Sequence, residues 1–319
     1  MWKTILKRIL IMIPEIIILS LLVFLLAQHM PGDPFTGTIT PQTSQAQLHH
    51  LMAKAGLYDP WYVQYWHWIV RIFHGNLGMS YQFKTPVASL IGERAMNTLW
   101  LSLLSVIISY AIAIPLGIWA GRYENTKIDK SIQLYNFITY AIPAFVFYLL
   151  GVYLFGYKMH LFPTSGSVSV NVSNGFQYVM SRLDHMILPA TLMALISTTT
   201  TVQYLRSEII DNTNMDYVRT ARAKGVSEKA IFNKHIFRNS LLPVAAFMGY
   251  SITGLLGGSI FVETIFSYPG MGLLFVNSIT SRDYSVITAL VLLFGILNLL
   301  GSLLSDIILS IVDPRVRIE

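Results

Sequence analysis

Side chains that could carry out catalysis or bind a metal ion are few in this 319-residue sequence and poorly spaced for either task. Cysteine is absent, which excludes disulfides, thiolate metal sites and a cysteine nucleophile. The adjacent His49 and His50 cannot share one helical face, and neither an HExxH nor a GxSxG pattern occurs. A GxxxxGK(S/T) phosphate-binding loop is also absent. We therefore expect no enzymatic activity, no metal and no cofactor in this chain.

A run of hydroxyl side chains lies within one apolar segment of the sequence. The run and the amide that follows it comprise Ser197, Thr198, Thr199, Thr200, Thr201 and Gln203. Such side chains can hydrogen bond to the carbonyl four residues earlier, or they can line a water-filled path through a membrane. The sequence does not decide between the two, so these six residues are candidates for lining a transport pathway.

A basic segment at 206–242 carries clear signals for two short helices. Asp216 is a good N-cap for a helix over 217–224, and Gly225 stands where that helix must stop. Ser227 is then positioned to cap the next helix. A helix, a glycine corner and a second helix form either a solvated basic loop or a docking knob for a cytoplasmic protein.

The composition indicates which solvent surrounds these elements. Hydrophobic residues make up 54% of the chain, charged residues only 12%, and the mean hydropathy is +0.55. A soluble domain carries roughly twice that share of charge. We therefore predict a single all-helical integral membrane domain over 1–319 with about six spans in contact with lipid. The apolar stretches of spanning length lie near 9–28, 98–120, 135–156, 186–205, 243–262 and 286–311.

Most of the 22 Lys and Arg residues fall in the segments that share a side with the N-terminus, which predicts that both chain ends are cytoplasmic. Segment 29–97 is then an outer loop and segment 206–242 a cytoplasmic loop.

The net charge of +6 is spread between apolar segments, so we expect no nucleic-acid binding. The apolar run after Lys7 and Arg8 is longer than a secretory signal, which favours a retained first span.

The outer loop contains two candidate helices. The first begins at the capping-box pair Ser44 and Gln47 and ends at Gly56. The second is capped by Asp59, has Pro60 at its first position and runs to a stop at Gly75. Its aromatic residues are typical of the membrane interface, and docking of an external protein is the alternative. These residues are Trp61, Tyr62, Tyr65, Trp66 and Trp68.

Proline and glycine residues within the predicted spans indicate kinks and close packing. Pro143 removes a backbone hydrogen bond from the middle of the third span and predicts a kink there. Gly117 and Gly121 form a GxxxG pair, which allows another helix to approach closely.

Several motifs together resemble a known family. The run DYVRTARAKG at 216–225, followed by His235, Arg238, Asn239 and Pro243, resembles the cytoplasmic loop of ABC-importer permeases of the oligopeptide, dipeptide and nickel class. Arg219, Thr220 and Ala221 occupy the EAA places of the general signature, of which only the alanine and Gly225 match. Further matching segments are MPGDP at 30–34, DPWYVQYW at 59–66, GNLGMS at 75–80, PV at 86–87, LLGGSIFVETIFSYPGMG at 255–272, RDYSV at 282–286 and DPRVR at 313–317.

The resemblance is strongest to the B-type membrane subunit of bacterial oligopeptide permeases. It implies a type I ABC-importer permease fold in a bacterial cell membrane and uptake of oligopeptides, with dipeptides, nickel or glutathione as alternative cargo. It also implies a homologous second permease subunit, two cytoplasmic ABC ATPases that use ATP and Mg, and an external peptide-binding protein. The implied ATPase-coupling residues are Asp216, Tyr217, Arg219, Thr220, Ala221, Ala223, Lys224, Gly225, His235, Arg238 and Asn239.

An ion-coupled secondary carrier is the alternative from another class. Such carriers hold ionisable residues deep within their spans and often show inverted repeats. Glu15, Glu263 and Asp306 lie near the predicted span ends, and the sequence contains no convincing repeat. These features favour the importer.

Overall fold

The computed structural model describes residues 2–29, 58–170, 172, 174–257 and 259–312, and all the regular structure in those ranges apart from one isolated bridge is helical. The helices are α1 (Trp2–His29), α2 (Trp61–Phe73), α3 (Val87–Arg122), α4 (Lys127–Ala141), α5 (Ala144–Gly151), α6 (Gly175–Thr213), α7 (Asp216–Ala223), α8 (Glu228–Ile231), α9 (Leu242–Gly254), α10 (Ile260–Ile265), α11 (Met271–Ser281) and α12 (Tyr284–Val312). Helix α5 continues as a π-helix over Val152–Lys158. Helix α8 continues through the π-helix Phe232–Phe237 into Arg238–Ser240.

Four described helices are long and apolar enough to cross a membrane: α1, α3, α6 and α12. The predicted spans at 9–28, 98–120, 186–205 and 286–311 fall within them, and α3 and α6 extend well beyond the predicted bounds. The count rises to five if α4 and the helix that follows it form one broken span. The described helices therefore give four or five candidate spans where the sequence predicts about six.

The third predicted span, 135–156, is wrong as a continuous helix. Helix α4 ends at Ala141, and the next helix leaves at an angle of 100°. Pro143 causes the break, because it cannot donate a backbone hydrogen bond and disfavours helical geometry at Ile142, whose ψ is 124°. The predicted kink at Pro143 is confirmed, but it is large enough to separate two helices.

The fifth predicted span, 243–262, is also wrong as a single helix. Helix α9 ends at Gly254 after 13 residues, which is too short to span a membrane on its own. A turn with a Gly257 N–H···O=C Gly254 bond of 3.0 Å follows, and the hydroxyl of Ser259 then caps the new helix α10. Glycine residues in this apolar stretch end the helix where hydropathy alone predicts that it continues.

Close contacts at glycine residues hold the helices together. A Cβ atom built onto Gly117 would lie 2.9 Å from Leu205, and one built onto Gly121 would lie 2.7 Å from Ile209. Helices α3 and α6 therefore pack directly against each other, and the packing role predicted for the GxxxG pair is confirmed. Arg182 of α6 contacts Asn97 near the other end of α3, so the two helices run parallel.

Helix α12 forms a second set of close contacts. It packs antiparallel to α1, with Gly295 against Leu19 and an Arg8 Nε to Asp306 Oδ2 distance of 3.0 Å. It also packs against α9, where a Cβ atom on Gly249 would lie 2.2 Å from the backbone of Ser305. The beginnings of α1 and α9 and the end of α12 therefore lie at the same end of the helix bundle.

The second candidate helix of the outer loop is confirmed as α2. It ends before Gly75, whose φ of +72° makes a left-handed stop. The predicted cap is wrong, because Pro60 occupies the N-cap position and no side chain caps the helix. The first candidate helix, from Ser44 to Gly56, lies outside the described residues.

Candidate functional site

The basic segment after α6 folds into two short helices, as predicted, with a small shift at the start. Helix α7 begins at Asp216 itself, and Met215 occupies the N-cap position without a side-chain cap. The predicted capping role of Asp216 is therefore wrong, and its carboxylate lies in the first turn instead. That position still favours an acidic residue, because the unpaired N–H groups there carry partial positive charge.

Gly225 ends α7 in the manner predicted. Its φ is +74°, its N–H donates to the Arg222 carbonyl at 3.0 Å, and the N–H of Val226 donates to the Ala221 carbonyl at 3.2 Å. These two bonds make a Schellman cap, in which glycine is favoured because a Cβ atom is strained at positive φ. The corner thus depends on the backbone freedom of one residue.

An ion pair bridges this corner. The Arg222 guanidinium donates from Nε to Glu228 Oε1 at 2.8 Å and from Nη2 to Oε2 at 3.3 Å. The hydrogen bond from Arg222 lowers the pKa of Glu228 below its ordinary value. Ser227 stands at the N-cap of α8 as predicted, but its side chain does not cap the helix. The ion pair therefore adds to the glycine cap in joining α7 to α8.

Helix α7 has one apolar face and one polar face. Val218 and Ala221 are buried in a hydrophobic cluster with Leu205 and Ile209 of α6 and with Ile231 of α8. The opposite face presents the exposed residues Asp216, Arg219, Thr220, Ala223 and Lys224. We call this unit of α7, the Gly225 corner and α8 with its continuation to Ser240 the coupling knob. Of the candidate coupling residues, Ala221 alone lies on the buried face of α7.

The remaining coupling candidates lie around the same knob. The Tyr217 hydroxyl donates to Asn212 Oδ1 at 2.5 Å, and its ring lies 6.4 Å from the ring of His235. His235 and Arg238 are exposed, whereas Asn239 is half-buried. The structure therefore brings all eleven candidates to one end of the bundle.

A buried ion pair that sequence reasoning missed lies next to the knob. Arg206 of α6 donates to Asp129 of α4 from Nε at 2.7 Å and from Nη2 at 2.8 Å. The Asp129 side chain is only 4% exposed. The available signal was Asp129 in the first turn of α4, but nothing in the sequence pairs it with Arg206. The pair connects α4 to α6 one residue after Leu205, which packs in the knob's hydrophobic cluster.

The hydroxyl run on α6 divides into two groups. Thr198 and Thr199 are buried: the oxygens of Thr198 and Tyr135 lie 2.7 Å apart, and those of Thr199 and Thr139 lie 2.6 Å apart. Both therefore join α6 to α4 within this chain. Thr198 also donates to the Leu195 carbonyl at 2.7 Å, which lies three residues earlier rather than the four of the alternative given above.

The other pathway candidates lie closer to the helix surface. Ser197, Thr200 and Gln203 are exposed at spacings of three residues, so they share one face of α6. Thr201 is half-buried. Three of the six candidate pathway residues are therefore on the exposed surface of α6, so its open polar face is narrower than the hydroxyl run in the sequence indicates.

A buried carboxylate at the other end of the bundle was also missed. Glu263 is fully buried and accepts hydrogen bonds from Thr98 Oγ1 at 2.9 Å, Gly272 N at 2.6 Å and Leu273 N at 3.1 Å. The carboxylate of Glu263, which belongs to α10, thereby caps the first turn of α11 and links that helix to α3. Glu263 lies near the end of a predicted span, but nothing in the run ETIFSYPGMG predicted that it would cap another helix. Gly270 is also required, since a Cβ atom there would lie 2.4 Å from the Glu263 carboxylate.

Two family models match the chain. The N-terminal membrane component of binding-protein-dependent transport systems matches residues 1–102, and the inner membrane component of these systems matches residues 113–318. The chain therefore belongs to the family of inner membrane components of binding-protein-dependent transport systems, the membrane subunits of ABC importers. Among the described residues, no group of three His, Asp or Glu side chains could hold a metal ion.

Relatives within that family are similar over their full length. The chain is 40% identical to the oligopeptide transport system permease protein AppB of Bacillus subtilis, with 98% of each chain covered. It is 34% identical to the glutathione transport system permease protein GsiC of Salmonella typhimurium, with 99% of each covered.

A solved structure supports the fold. A chain of the MetNI methionine ABC transporter, from a study of its inward-facing conformations, matches with a TM-score of 0.54 and 15% identity. The match covers 70% of this chain and 96% of that one. The described helices thus adopt the fold of a type I ABC importer permease.

Proposed function

We propose that this chain forms half of the translocation path of an ATP-driven importer of oligopeptides. The observation that carries the proposal is the coupling knob, which presents a charged face outward while its apolar face is packed against α6. A surface of this kind is suited to receive the push of a separate motor protein. The chain itself has no phosphate-binding loop, so ATP and Mg act in the partner ATPases.

A continuous set of contacts supports a mechanical path from the knob into the membrane. Val218 packs on Leu205 and Ile209 of α6, and these two side chains contact Gly117 and Gly121 of α3. The Arg206–Asp129 pair adds α4 to the same unit. Movement of the knob would therefore displace α3, α4 and α6 together, which is how an ATPase could switch the path between inward-open and outward-open states.

The proposed topology has six membrane crossings and cytoplasmic ends. We assign one crossing to the broken pair of α4 and α5 and one to α9 together with the turn and α10 that follow it. The knob, the 122–127 turn and the beginning of α1 lie at one end of the bundle, where most Lys and Arg residues also fall. That distribution supports a cytoplasmic location for this end. We also propose that 1–319 forms one permease unit.

The proposed assembly contains a homologous second permease subunit, two cytoplasmic ABC ATPases and an external peptide-binding protein. Membership of a binding-protein-dependent family supports the binding protein. The exposed stripe of Ser197, Thr200 and Gln203 on α6 is the part of this chain that we propose lines the path. A second subunit would complete the path, because these side chains are exposed in the single chain.

Oligopeptide cargo is supported by the 40% identity to a relative named for oligopeptide transport. Glutathione is the second candidate, because relatives named for its transport are 34% identical over the same length. Both molecules are peptides in the broad sense, so a common path could accept either.

The test is purification of the tagged chain in mild detergent with every protein that accompanies it, followed by reconstitution into liposomes. ATP hydrolysis that rises when a binding protein loaded with an oligopeptide is added would support the proposal. Glutathione as the stimulating ligand would replace the cargo assignment. Solute movement by the chain alone and without ATP would overturn the importer mechanism in favour of a secondary carrier.

A further inference from the structure

One face of α2 has no described residue packed over it. The side chains of Tyr62, Trp66 and Phe73 are 59%, 65% and 85% exposed. Their spacing of four and seven residues places them within roughly 40° of one another around the helix. We call these three side chains the aromatic stripe. Water is a poor surrounding for so much adjacent aromatic surface, so the stripe calls for an apolar or amphipathic partner.

The polar residues of α2 lie on another side of the helix. His67 and Arg71 are both exposed and are centred roughly 140° from the aromatic stripe. A helix with an apolar stripe and a cationic stripe on nearly opposite sides can lie flat at a boundary between oil and water.

A third face of α2 packs on α1, and these contacts fix where α2 lies along that spanning helix. The hydroxyl oxygens of Tyr65 and Ser20 lie 2.7 Å apart, and the ring of Trp68 lies 5.8 Å from that of Phe24. Gln28 donates to Gln64 at 3.1 Å near the end of α1. These contacts fall within the last ten residues of a spanning helix, a length of roughly 15 Å. Helix α2 therefore lies at the depth where a membrane span leaves the hydrocarbon.

The neighbouring surface of α1 is itself of the kind that faces lipid. Ile18, Leu22 and Leu26 are 58%, 54% and 66% exposed, in the most apolar of the candidate spans. The stripe on α2 thus lies beside a helix whose own exposed surface is aliphatic.

We propose that α2 lies in the plane of the membrane interface and that its aromatic stripe binds phospholipid. Tyr62 and Trp66 would sit at the headgroup level, where rings with a polar edge are stable, and Phe73 would reach the acyl chains. His67 and Arg71 would face water and the lipid phosphates. The partner is lipid rather than an external protein, because the stripe is at interfacial depth and carries no charge. This inference needs only that α1 spans a membrane, so it stands apart from the cargo and from the ATPases.

The test uses single cysteines, for which the chain offers a background without any. Trp66→Cys and Phe73→Cys report on the stripe, His67→Cys and Arg71→Cys on the polar face, and Trp68→Cys on the face that packs on α1. Each variant is spin-labelled in the full chain, with its accompanying subunits, in nanodiscs of phosphatidylethanolamine and phosphatidylglycerol. The unsubstituted chain, labelled in the same way, supplies the background signal.

We expect labels at 66 and 73 to be relaxed by oxygen, which partitions into lipid, and not by water-soluble nickel-EDDA. Labels at 67 and 71 should show the reverse, and a label at 68 should respond weakly to both reagents. Nickel access at 66 and 73 equal to that at 67 would overturn the proposal, because the stripe would then face water or a site for a soluble partner. Protection of 66 and 73 from both reagents would also overturn it, because protein would then cover the stripe.

A label-free measurement guards against distortion of α2 by the nitroxide. In nanodiscs made with brominated lipid, the share of tryptophan fluorescence that is quenched should fall in Trp66→Phe and remain nearly unchanged in Trp68→Phe. An equal effect of the two substitutions would contradict lipid contact by the stripe.

Discussion

The Nε atom of Arg206 lies 2.7 Å from Oδ1 of Asp129, and this bidentate pair joins α6 to α4 directly above the coupling knob. Both partners are shielded from water to different degrees, with 23% of the arginine side chain and 4% of the aspartate side chain exposed. A pair of this kind is costly to break from one side, because the remaining charge has no partner in a poorly hydrated place.

We therefore expect Asp129→Ala and Arg206→Ala each to lower the free energy of unfolding by about 3 kcal/mol. The double substitution should cost clearly less than the sum of the two, since it removes both charges and leaves none unpaired. Thermal unfolding in detergent measures all three. Arg8→Ala is the matched control: its partner is Asp306, both side chains are more exposed, and the expected loss is below about 1 kcal/mol. Additive costs for the double substitution would contradict the coupling.

Replacement of Gly225 should impair both transport and the ATP hydrolysis that peptide stimulates. A side chain at φ of +74° costs about 1–2 kcal/mol, so Gly225→Val should distort the Schellman cap and the outward face of the knob. We expect peptide uptake and peptide-stimulated ATP hydrolysis to fall together at normal membrane levels of the protein. A Cβ atom built onto Gly225 would have no atom within 4 Å beyond its two chain neighbours, so we attribute the expected effect to backbone strain rather than to a steric clash.

Gly75 provides the matched control for that experiment. It ends α2 with the same cap, through Gly75 N to Ile72 O at 2.8 Å and Asn76 N to Arg71 O at 2.9 Å, and its φ is +72°. Gly75→Val thus introduces equal strain at the opposite end of the bundle. Stimulated ATP hydrolysis should survive there. Full uptake by Gly225→Val would refute the role of the corner.

Replacement of Asn136 by leucine should stabilise the folded protein. Its side chain is 1% exposed, and neither its Oδ1 nor its Nδ2 has a hydrogen-bond partner in the described part of the chain. An unsatisfied buried amide costs about 1–3 kcal/mol, so Asn136→Leu should raise the free energy of unfolding by a similar amount. Thr139→Val is the control in the same helix, because it removes a formed bond to Thr199 and should destabilise. If Asn136→Leu destabilises, the amide is bonded in the membrane by a group outside the described residues.

The corner between α7 and α8 should loosen in acid. Because Arg222 lowers the pKa of Glu228, the pair stabilises the folded corner above the ordinary glutamate pKa, and this contribution is lost as the pH falls through the lower folded value. A nitroxide placed at Val226 should keep constant mobility from pH 7 to pH 5 and become more mobile below about pH 4. Glu228→Gln should show the mobile spectrum at every pH. A pH-independent spectrum in the parent chain would rule out the pair as a brace.

Local signals in the sequence predicted the elements whose form depends on neighbours along the chain. The corner at Gly225 and the end of α2 at Gly75 follow from the need for positive φ after a helix, and the GxxxG contact follows from the absence of side chains at Gly117 and Gly121. The break at Gly254 was missed, because hydropathy over a 20-residue window does not register a helix that ends in its middle.

Tertiary contacts account for what the sequence could not show. Whether Thr198 lines a path or bonds to Tyr135 depends on where α4 lies, and α4 is placed by the break at Pro143. The capping of α11 by Glu263 joins residues nine and ten positions apart through a reverse turn, which no helical or strand period describes. Asp129 and Arg206 are 77 positions apart, so only the packed helices reveal them as a pair.

The glycine contacts between α3 and α6 have a geometric consequence. The two helices are joined along their length, from Gly117 and Gly121 beside the knob, through the bond of Ser197 to Ser109, to Arg182 reaching Asn97. A tilt of the pair would therefore move both helices together. The distance from Gly121 to Asn97 along α3 is about 36 Å, so a tilt of about 5° about the knob end would move the other end by about 3 Å. We therefore expect a small rotation beside the knob to produce a larger displacement at the far end.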